Sequence, residues 1–486
     1  MPCTTILAGR LAMNDGSTVI ARNDDGAFEA KRLIAVEPKD QPKKYKCTIS
    51  HLEIGLTDEP MRYTAVPNVN KEHGVWPACG INAANVGMNA TETVTTNARV
   101  MGADPFVCLR PKKNSRDKEI PGGIGEEDLV TLVLPYIRSA REGVLRLGAL
   151  LEKYGTYEPN GIAFNDKDEV WWMETIGGHH WIAKRVPDDR VVIMPNQFGT
   201  DDFDLEDAFG GQKEHLCSAD LREFMAKYHL DLNTGKRFNP RRAFGSRETA
   251  DHIYNTPRAW YMARYFTPRA CRWDGPDADF TPESDDLPWS LVPEAKVTVE
   301  DIKELLSSWY QGTPYDPYEK TSALSGHYRV IGVPNSDVSG IIQIRGDMPE
   351  AIRGTEWLSM GGSGYTACFP QYANVPKFPA YFSATTEKVS TDAMYWTSRL
   401  IAALTDAHYG PGIILDERYR KTVANRGRQL LNEYDAKYIA SPDPALLTEA
   451  NAKIAEMVRE ESEKALSAIL ANASEHMKTR YHRGDN

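Results

Sequence analysis

Short β-prone runs open the chain, and longer amphipathic stripes close it. Thr4-Thr5-Ile6-Leu7-Ala8 reads as a strand, Asn14-Asp15-Gly16-Ser17 carries turn chemistry, and Thr18-Val19-Ile20-Ala21-Arg22 reads as the returning strand. Leu33-Ile34-Ala35-Val36 predicts a further strand that ends at Pro38. Gly80-Ile81-Asn82 and Val86-Gly87-Met88-Asn89 predict a second hairpin around Ala83-Ala84-Asn85. Glu126, Glu127 and Asp128 sit where a helix N-terminus takes negative charge, and Leu129, Val130, Val133, Leu134 and Ile137 follow at helical spacing. A helix is therefore expected over 124–154, kinked at or near Pro135, with a second segment over 140–154 that stops at Gly155.

Residues 160–196 read as a four-stranded β-meander: 161–165, 169–174, 180–184 after the Gly177-Gly178 turn, and 191–194, ending at Pro195-Asn196. Periodicity weakens over 200–330, where helices are expected near 218–229, 247–265 and 299–309, and 268–298 reads as a long surface loop. A helix is predicted over 391–408. Another follows Ser441-Pro442, an N-cap with Pro at N1, and carries the stripe Leu447, Ile454, Met457, Val458, Ala465, Ile469 and Leu470. The polar tail after 474 is expected to fray. No internal repeat or low-complexity tract occurs.

A chain of 486 residues admits two to four domains or one large α/β unit with insertions. Its net charge of -11 argues against nucleic acid as a partner, because phosphate binding wants a basic face. The 7 cysteines are widely spaced without a C-x-x-C pair, which suits a reducing compartment rather than a disulfide framework. The N-terminus lacks the basic and apolar segments of a signal peptide, and no run of about 18 apolar residues occurs. The expectation is a cytoplasmic protein with no membrane contact.

Cys3 is the first candidate for chemistry. If Met1 and Pro2 are removed, one residue carries both a thiol and a free α-amine, with ordinary pKa values of about 8.5 and about 8. That pairing supplies a nucleophile and its base together. By position alone, an early Cys is more often a small buried residue. The hairpin changes this, because it brings Arg22 and the following Asn23-Asp24-Asp25 back towards Cys3. A guanidinium there favours thiolate, and a carboxylate orients the amine. A solvated charged strand end is the bland alternative.

Cys3-Thr4-Thr5-Ile6, Asp15-Gly16-Ser17-Thr18-Val19-Ile20-Ala21-Arg22-Asn23-Asp24-Asp25 and Gly80-Ile81-Asn82-Ala83-Ala84-Asn85-Val86-Gly87-Met88-Asn89-Ala90-Thr91-Glu92 together resemble the cysteine dipeptidases of peptidase family C69. Glu126-Glu127-Asp128-Leu129-Val130, Tyr154-Gly155, Asn255-Thr256-Pro257-Arg258-Ala259-Trp260 and Ala393-Met394-Tyr395-Trp396 extend the resemblance over most of the chain. The secernins are related, and the choloylglycine hydrolases, which include penicillin V acylases, are similar more remotely.

The resemblance implies an α/β (α+β) fold, the four-layer αββα sandwich of N-terminal-nucleophile hydrolases, with helical additions in the C-terminal half. It divides the chain into a first part of the core over 1–265, an insertion with the remaining core over 266–440, and a C-terminal helix and tail over 441–486. Cys3 matches the nucleophile, Arg22 the arginine beside it, and Asp25 the aspartate near its amine, with Asp24 as rival. Asn89 resembles an oxyanion-hole position, although a turn asparagine explains it too. Asn196 closes its strand as the acylase asparagine does, but in Pro-Asn-Gln rather than Asn-Asn-Pro. Arg258 stands near the spacing of a second acylase arginine, or is structural.

The activity implied is hydrolysis of dipeptides through a thioester, with Asp24 and Arg258 as candidates for the substrate's two charged ends. An acylase on linear amides and a non-catalytic secernin-like binding protein are the alternatives. Homo-oligomerisation stays open. No cofactor or metal is expected: there is no H-E-x-x-H, and His179-His180 on a strand would point to opposite faces. Trp171-Trp172 reads as sheet packing.

Overall fold

In the computed structural model, which describes residues 3–56, 58–114, 117–235 and 237–479, the strand that follows Cys3 is buried along its whole length. That strand, β1 (Thr4–Ala8), is flanked on both sides. It pairs antiparallel with β2 (Thr18–Asp25), Thr5 opposite Arg22, and the turn between them is closed by Asp15, which accepts from the Ser17 amide and hydroxyl. The remaining strands of the two large sheets are β3 (Cys79–Ile81), β4 (Gly87–Thr93), β5 (Asn160–Asn165), β6 (Val170–Thr175), β7 (Trp181–Arg185), β8 (Val191–Met194), β9 (His215–Cys217), β10 (Ser290–Leu291), β11 (Ser336–Ile344), β12 (Gly354–Met360) and β13 (Phe369–Tyr372). One sheet has the order β10-β8-β1-β2-β11-β12-β13, the other β9-β7-β6-β5-β4-β3. The sheets meet where β2 and β11 lie against β4, and side chains from both share one apolar core.

Helices cover this framework. They are α1 (Leu129–Val133), α2 (Ala140–Tyr154), α3 (Thr256–Phe266), α4 (Val299–Leu306), α5 (Met394–Ala407), α6 (Tyr409–Ala440) and α7 (Ala445–Glu475). α2 rests on β5, β6 and β7, and two glycines set its distance. A Cβ at Gly143 would stand 2.5 Å from the Phe164 ring, and one at Gly148 2.3 Å from the Trp181 ring. α3 touches β8, α4 touches β2 and β11, and α6 and α7 pack on each other and on β13. Among the described residues, no helix is long and apolar enough to cross a membrane.

The chain has the mixed α/β character expected of it, but several elements differ from the sequence reading. The four strands over 160–196 form, yet the fourth, β8, leaves the meander and pairs with β1, Met194 opposite Thr5. β9 takes its place beside β7. The helix expected from 124 begins only at Leu129. Glu126, Glu127 and Asp128 precede it in a buried turn, with Asp128 at the N-cap. Pro135 sits in a 3-10 turn that separates α1 from α2. α7 begins at Ala445 rather than at Ser441-Pro442. The sequence reading left 409–440 without an element, whereas α6 fills it and buries Tyr419, Val423, Leu431, Tyr434 and Tyr438 on one stripe.

Candidate active site

Continuing the β1–β2 register by one residue sets Cys3 opposite Asp24. Cys3 is only 3% exposed, and Arg22 Nη1 donates to its Sγ at 3.0 Å. Arg22 and Asp24 fall on one face of β2, and Arg22 Nη1 also lies 3.2 Å from Asp24 Oδ1. The guanidinium is held from the facing sheet as well, donating to the carbonyls of Thr91 at 2.6 Å and Ala90 at 2.8 Å. With the Ala78 carbonyl at 3.3 Å, three backbone acceptors and a carboxylate fix the cation that touches the thiol. Asp24 is shared with Lys31, whose Nζ is 2.7 Å away.

A second arginine approaches Cys3 from the other side. Arg258 Nη1 donates to the Cys3 carbonyl and, at 2.6 Å, to Thr4 Oγ1. Its Nη2 donates to Asn196 Oδ1 at 2.8 Å and Asn255 Oδ1 at 2.9 Å, and its Nε to the Tyr254 carbonyl at 2.6 Å. Asn196 Nδ2 reaches the Thr93 carbonyl at 2.8 Å, which ties the end of β8 to the end of β4. Arg258 and Asn196 therefore meet each other and the Cys3 backbone, as neighbours in space 62 residues apart in sequence.

Asp25 is bound instead to Arg329 Nη2 at 2.5 Å and to Ser336 Oγ. Of the two acids, Asp24 is the one joined to Cys3 through Arg22. Asn89 Nδ2 donates to the Gly340 carbonyl at 3.4 Å, and none of its hydrogen bonds among the described residues reaches Cys3, Asn196 or Arg258. The two histidines share one carboxylate instead of diverging. Both lie just ahead of β7, and each bonds Asp104 through Nδ1, at 3.2 Å from His179 and 2.8 Å from His180.

Glu92 escaped the sequence reading as a site residue. It is fully buried near the end of β4, accepts from Thr5 Oγ1 at 2.5 Å, and its Oε1 finds no hydrogen-bond partner among the described residues. A glutamate inside an otherwise buried strand was the available signal. Thr91 is also bifunctional: its carbonyl holds Arg22, while its hydroxyl donates to Glu126 Oε2. The Glu126 amide donates to Glu158 Oε1 at 2.8 Å, so two carboxylates stand one residue away from the arginine on the thiol. Among the described residues, no lysine, arginine or histidine side chain forms an ion pair with Glu126 or Glu158.

Burial governs the protonation states. It pushes the Cys3 thiol up to about 12 even though Arg22 opposes the shift. It lifts Glu92 to about 7, against Arg258 and the Thr5 hydroxyl. It lifts Glu158 to about 8, with Glu126 adding repulsion. Burial alone would raise Asp24 too, but Lys31 and Arg22 outweigh it and hold this carboxyl below the usual range. Burial pushes Asp25 up despite Arg329. Arg258, surrounded by protein and near Arg329, is drawn down to about 10.

A family model described as Peptidase family C69 matches residues 2–422. A protein of Bifidobacterium longum (strain NCC 2705) named "Dipeptidase" is 48% identical over 100% of both chains. "Probable dipeptidase A" of Streptococcus pyogenes serotype M3 is 46% identical, again over 100% of both. "Dipeptidase A" of Lactobacillus helveticus is 44% identical over 84% of this chain and 82% of its own.

Proposed function

The chain belongs to peptidase family C69, and on that premise we propose that it is a dipeptidase whose nucleophile is the thiol of Cys3. The observation that carries this reading is the Arg22 guanidinium, fixed by the Ala90 and Thr91 carbonyls and aimed at Cys3 Sγ from 3.0 Å. The two facing sheets, with helices on their outer sides, are read as the αββα sandwich of N-terminal-nucleophile hydrolases.

Met1 and Pro2 lie outside the described residues. With the Pro2–Cys3 bond intact, Cys3 has no α-amine, and a buried thiol near 12 is protonated at neutral pH. Cleavage of that bond creates the missing base. The amine then accepts the thiol proton, and sulfur attacks the dipeptide carbonyl. The oxygen becomes negative in the tetrahedral intermediate. The amine passes its proton to the leaving nitrogen as the C–N bond breaks, which leaves a thioester. Water, deprotonated by the same amine, attacks the thioester and releases the acid and the thiol. Asn89 and Asn196 are the proposed oxyanion donors, and Asp24 or Asp25 orients the amine.

A dipeptide brings a free ammonium within one residue of the scissile bond. We assign Glu126 and Glu158, beside Thr91, to receive it, in place of Asp24, which Lys31 and Arg22 already neutralise. Arg258 has its donors committed to protein, so its role is to position Cys3 and Asn196 rather than to meet a substrate carboxylate.

The test is intact mass and N-terminal sequencing of active protein, together with a hydrolysis panel of dipeptides, bile-salt conjugates and penicillin V. The expected chain begins at Cys3 and cleaves dipeptides only, and Cys3→Ala abolishes cleavage. Full activity in a chain that begins at Met1 or Pro2 would refute the α-amine mechanism.

A further inference from the structure

We propose that the cavity between α4 and α6 is a second binding site, for a free α-amino acid, and that its occupancy acts on the strand carrying Arg22. The argument starts from Lys303. This side chain is nine-tenths buried, and its Nζ donates to Ser307 Oγ at 2.6 Å and to the Ser363 carbonyl at 2.8 Å. Both partners are neutral. Among the described residues, no carboxylate lies within ion-pair distance of it. Its neighbour Arg420 is compensated, with Nε 2.7 Å from Asp416 Oδ2. A buried ammonium without a counter-ion is costly unless an anion reaches it.

Lys303 lines a cavity of about 390 Å³, within the range that holds small-molecule ligands. Cys368 and Trp357 share the wall, and Glu417 stands exposed at the rim. Glu300, Glu304 and Arg420 also line it, but they are engaged in ion pairs with protein, which leaves Lys303 as the buried cation for an amino acid's carboxylate and Glu417 as the carboxylate for its ammonium. The carboxylate meets Lys303, the side chain lies on Trp357, and the ammonium faces Glu417. Burial draws Lys303 down to about 8, so the amine is still mostly protonated at neutral pH and ready to pair.

The coupling is drawn in hydrogen bonds. The Ser363 residue whose carbonyl holds Lys303 donates through Oγ to Ser336 Oγ at 2.9 Å, and Ser336 donates to Asp25. The last carbonyl of α4, Leu306, accepts from Asn23 Nδ2 at 2.7 Å. Asn23 and Asp25 flank Asp24 on β2, one and three residues from Arg22. An anion that pulls on Lys303 therefore acts at two points on one face of the strand beside Cys3, the face opposite Arg22 and Asp24. This inference does not rest on the dipeptidase reading, because the site is defined by its own lining.

The experiment is isothermal titration of the full chain with L-leucine, with leucinamide as the control lacking the carboxylate and inorganic phosphate as the control lacking ammonium and side chain. Site-resolved alkylation of Cys368 is followed by mass spectrometry in parallel. Leucine is expected to bind in the micromolar to millimolar range, to slow Cys368 alkylation, and to bind at least ~10-fold more tightly than either control. Lys303→Met should remove binding. If that variant does not fold, Ala424→Phe fills the cavity from α6 with Lys303 intact and should remove binding while peptide hydrolysis proceeds at its basal rate. Absence of leucine binding, equal binding of leucinamide, or unchanged binding and Cys368 protection in Ala424→Phe would each overturn the proposal. Loss of hydrolysis throughout, with leucine binding preserved, would sink the dipeptidase reading alone.

Discussion

Arg22 Nη1 stands 3.0 Å from Cys3 Sγ while the same guanidinium bridges to the Ala90 and Thr91 carbonyls of the facing sheet. The contact spans the interface between two sheets, so the cation is fixed before any substrate arrives. A lysine at this position supplies the charge but not the planar fork. Arg22→Lys is expected to lower kcat by about 10²-fold with KM within about threefold of the parent, the pattern of an interaction used mainly in the transition state. Steady-state kinetics on a dipeptide substrate decides it. An unchanged kcat would remove Arg22 from the chemistry.

Glu126 and Glu158 should show in KM. Glu126→Gln and Glu158→Gln are each expected to lower kcat/KM for free dipeptides by about 10- to 100-fold, the scale of one lost charge-assisted hydrogen bond. N-acetyl dipeptides, lacking the ammonium, should be poor substrates of the parent and lose little further in either variant. Equal losses on both substrate classes would mean that the two carboxylates only support the fold.

Arg258→Lys tests the other side of Cys3. Its Nη2 joins Asn196 to Asn255, and its Nη1 holds the Cys3 carbonyl and the Thr4 hydroxyl. A single ammonium cannot make these bonds together, so the Cys3 end of β1 should loosen. The expected outcome is lower kcat with a folded, cooperative melt whose Tm falls by a few degrees, about 1–2 kcal/mol of stability. Full activity with a lowered Tm would leave Arg258 a purely structural residue.

Stability should fall as pH rises from about 5 to 8. Burial raises Glu92 and Glu356 to about 7 and Glu158 to about 8. Between their ordinary values and these raised ones, the folded chain binds more protons than the unfolded chain, so raising pH favours unfolding. The opposite group, Asp104 and Asp207 at about 2, loses its contribution only as pH falls below about 4. A Tm maximum near mildly acidic pH follows. Glu356, buried beside Thr64 and outside the candidate site, isolates the effect. Glu356→Gln should match the parent near pH 5 and exceed it by on the order of 2 kcal/mol near pH 8. Thermal melts across pH check this, and parallel curves for the two proteins would contradict it.

The local elements were legible because their periodicity is local. Thr4–Ala8 and Thr18–Asp25 are joined by a turn that the sequence marks, so Arg22 was expected near Cys3 from sequence alone. The four strands over 160–196 and the stripes of α5 and α7 were equally visible. β11 was not. Ser336, Asp337, Ser339 and Gln343 give it a polar pattern, yet every residue is buried between β2 and β12. The acids at 126–128 do precede a helix, with Asp128 as its N-cap, but their burial in a turn beside Thr91 had no local signal.

The sequence by itself determined the Cys3 thiol ahead of a strand, the hairpin that returns Arg22 and Asp24 to it, and a set of residue types suited to amide hydrolysis. The tertiary structure decided which of them meet. β8 pairs with β1 and not with β7, and that single choice carries Asn196 to Arg258 and Arg258 to the Cys3 carbonyl. The packing of β4 against β2 brings Glu92 and the Ala90 and Thr91 carbonyls to the same place, while Asn89 on the same strand bonds Gly340. Periodicity fixes which face of a strand is buried. It does not fix which distant strand covers that face, because pairing between segments far apart in sequence depends on the assembled core.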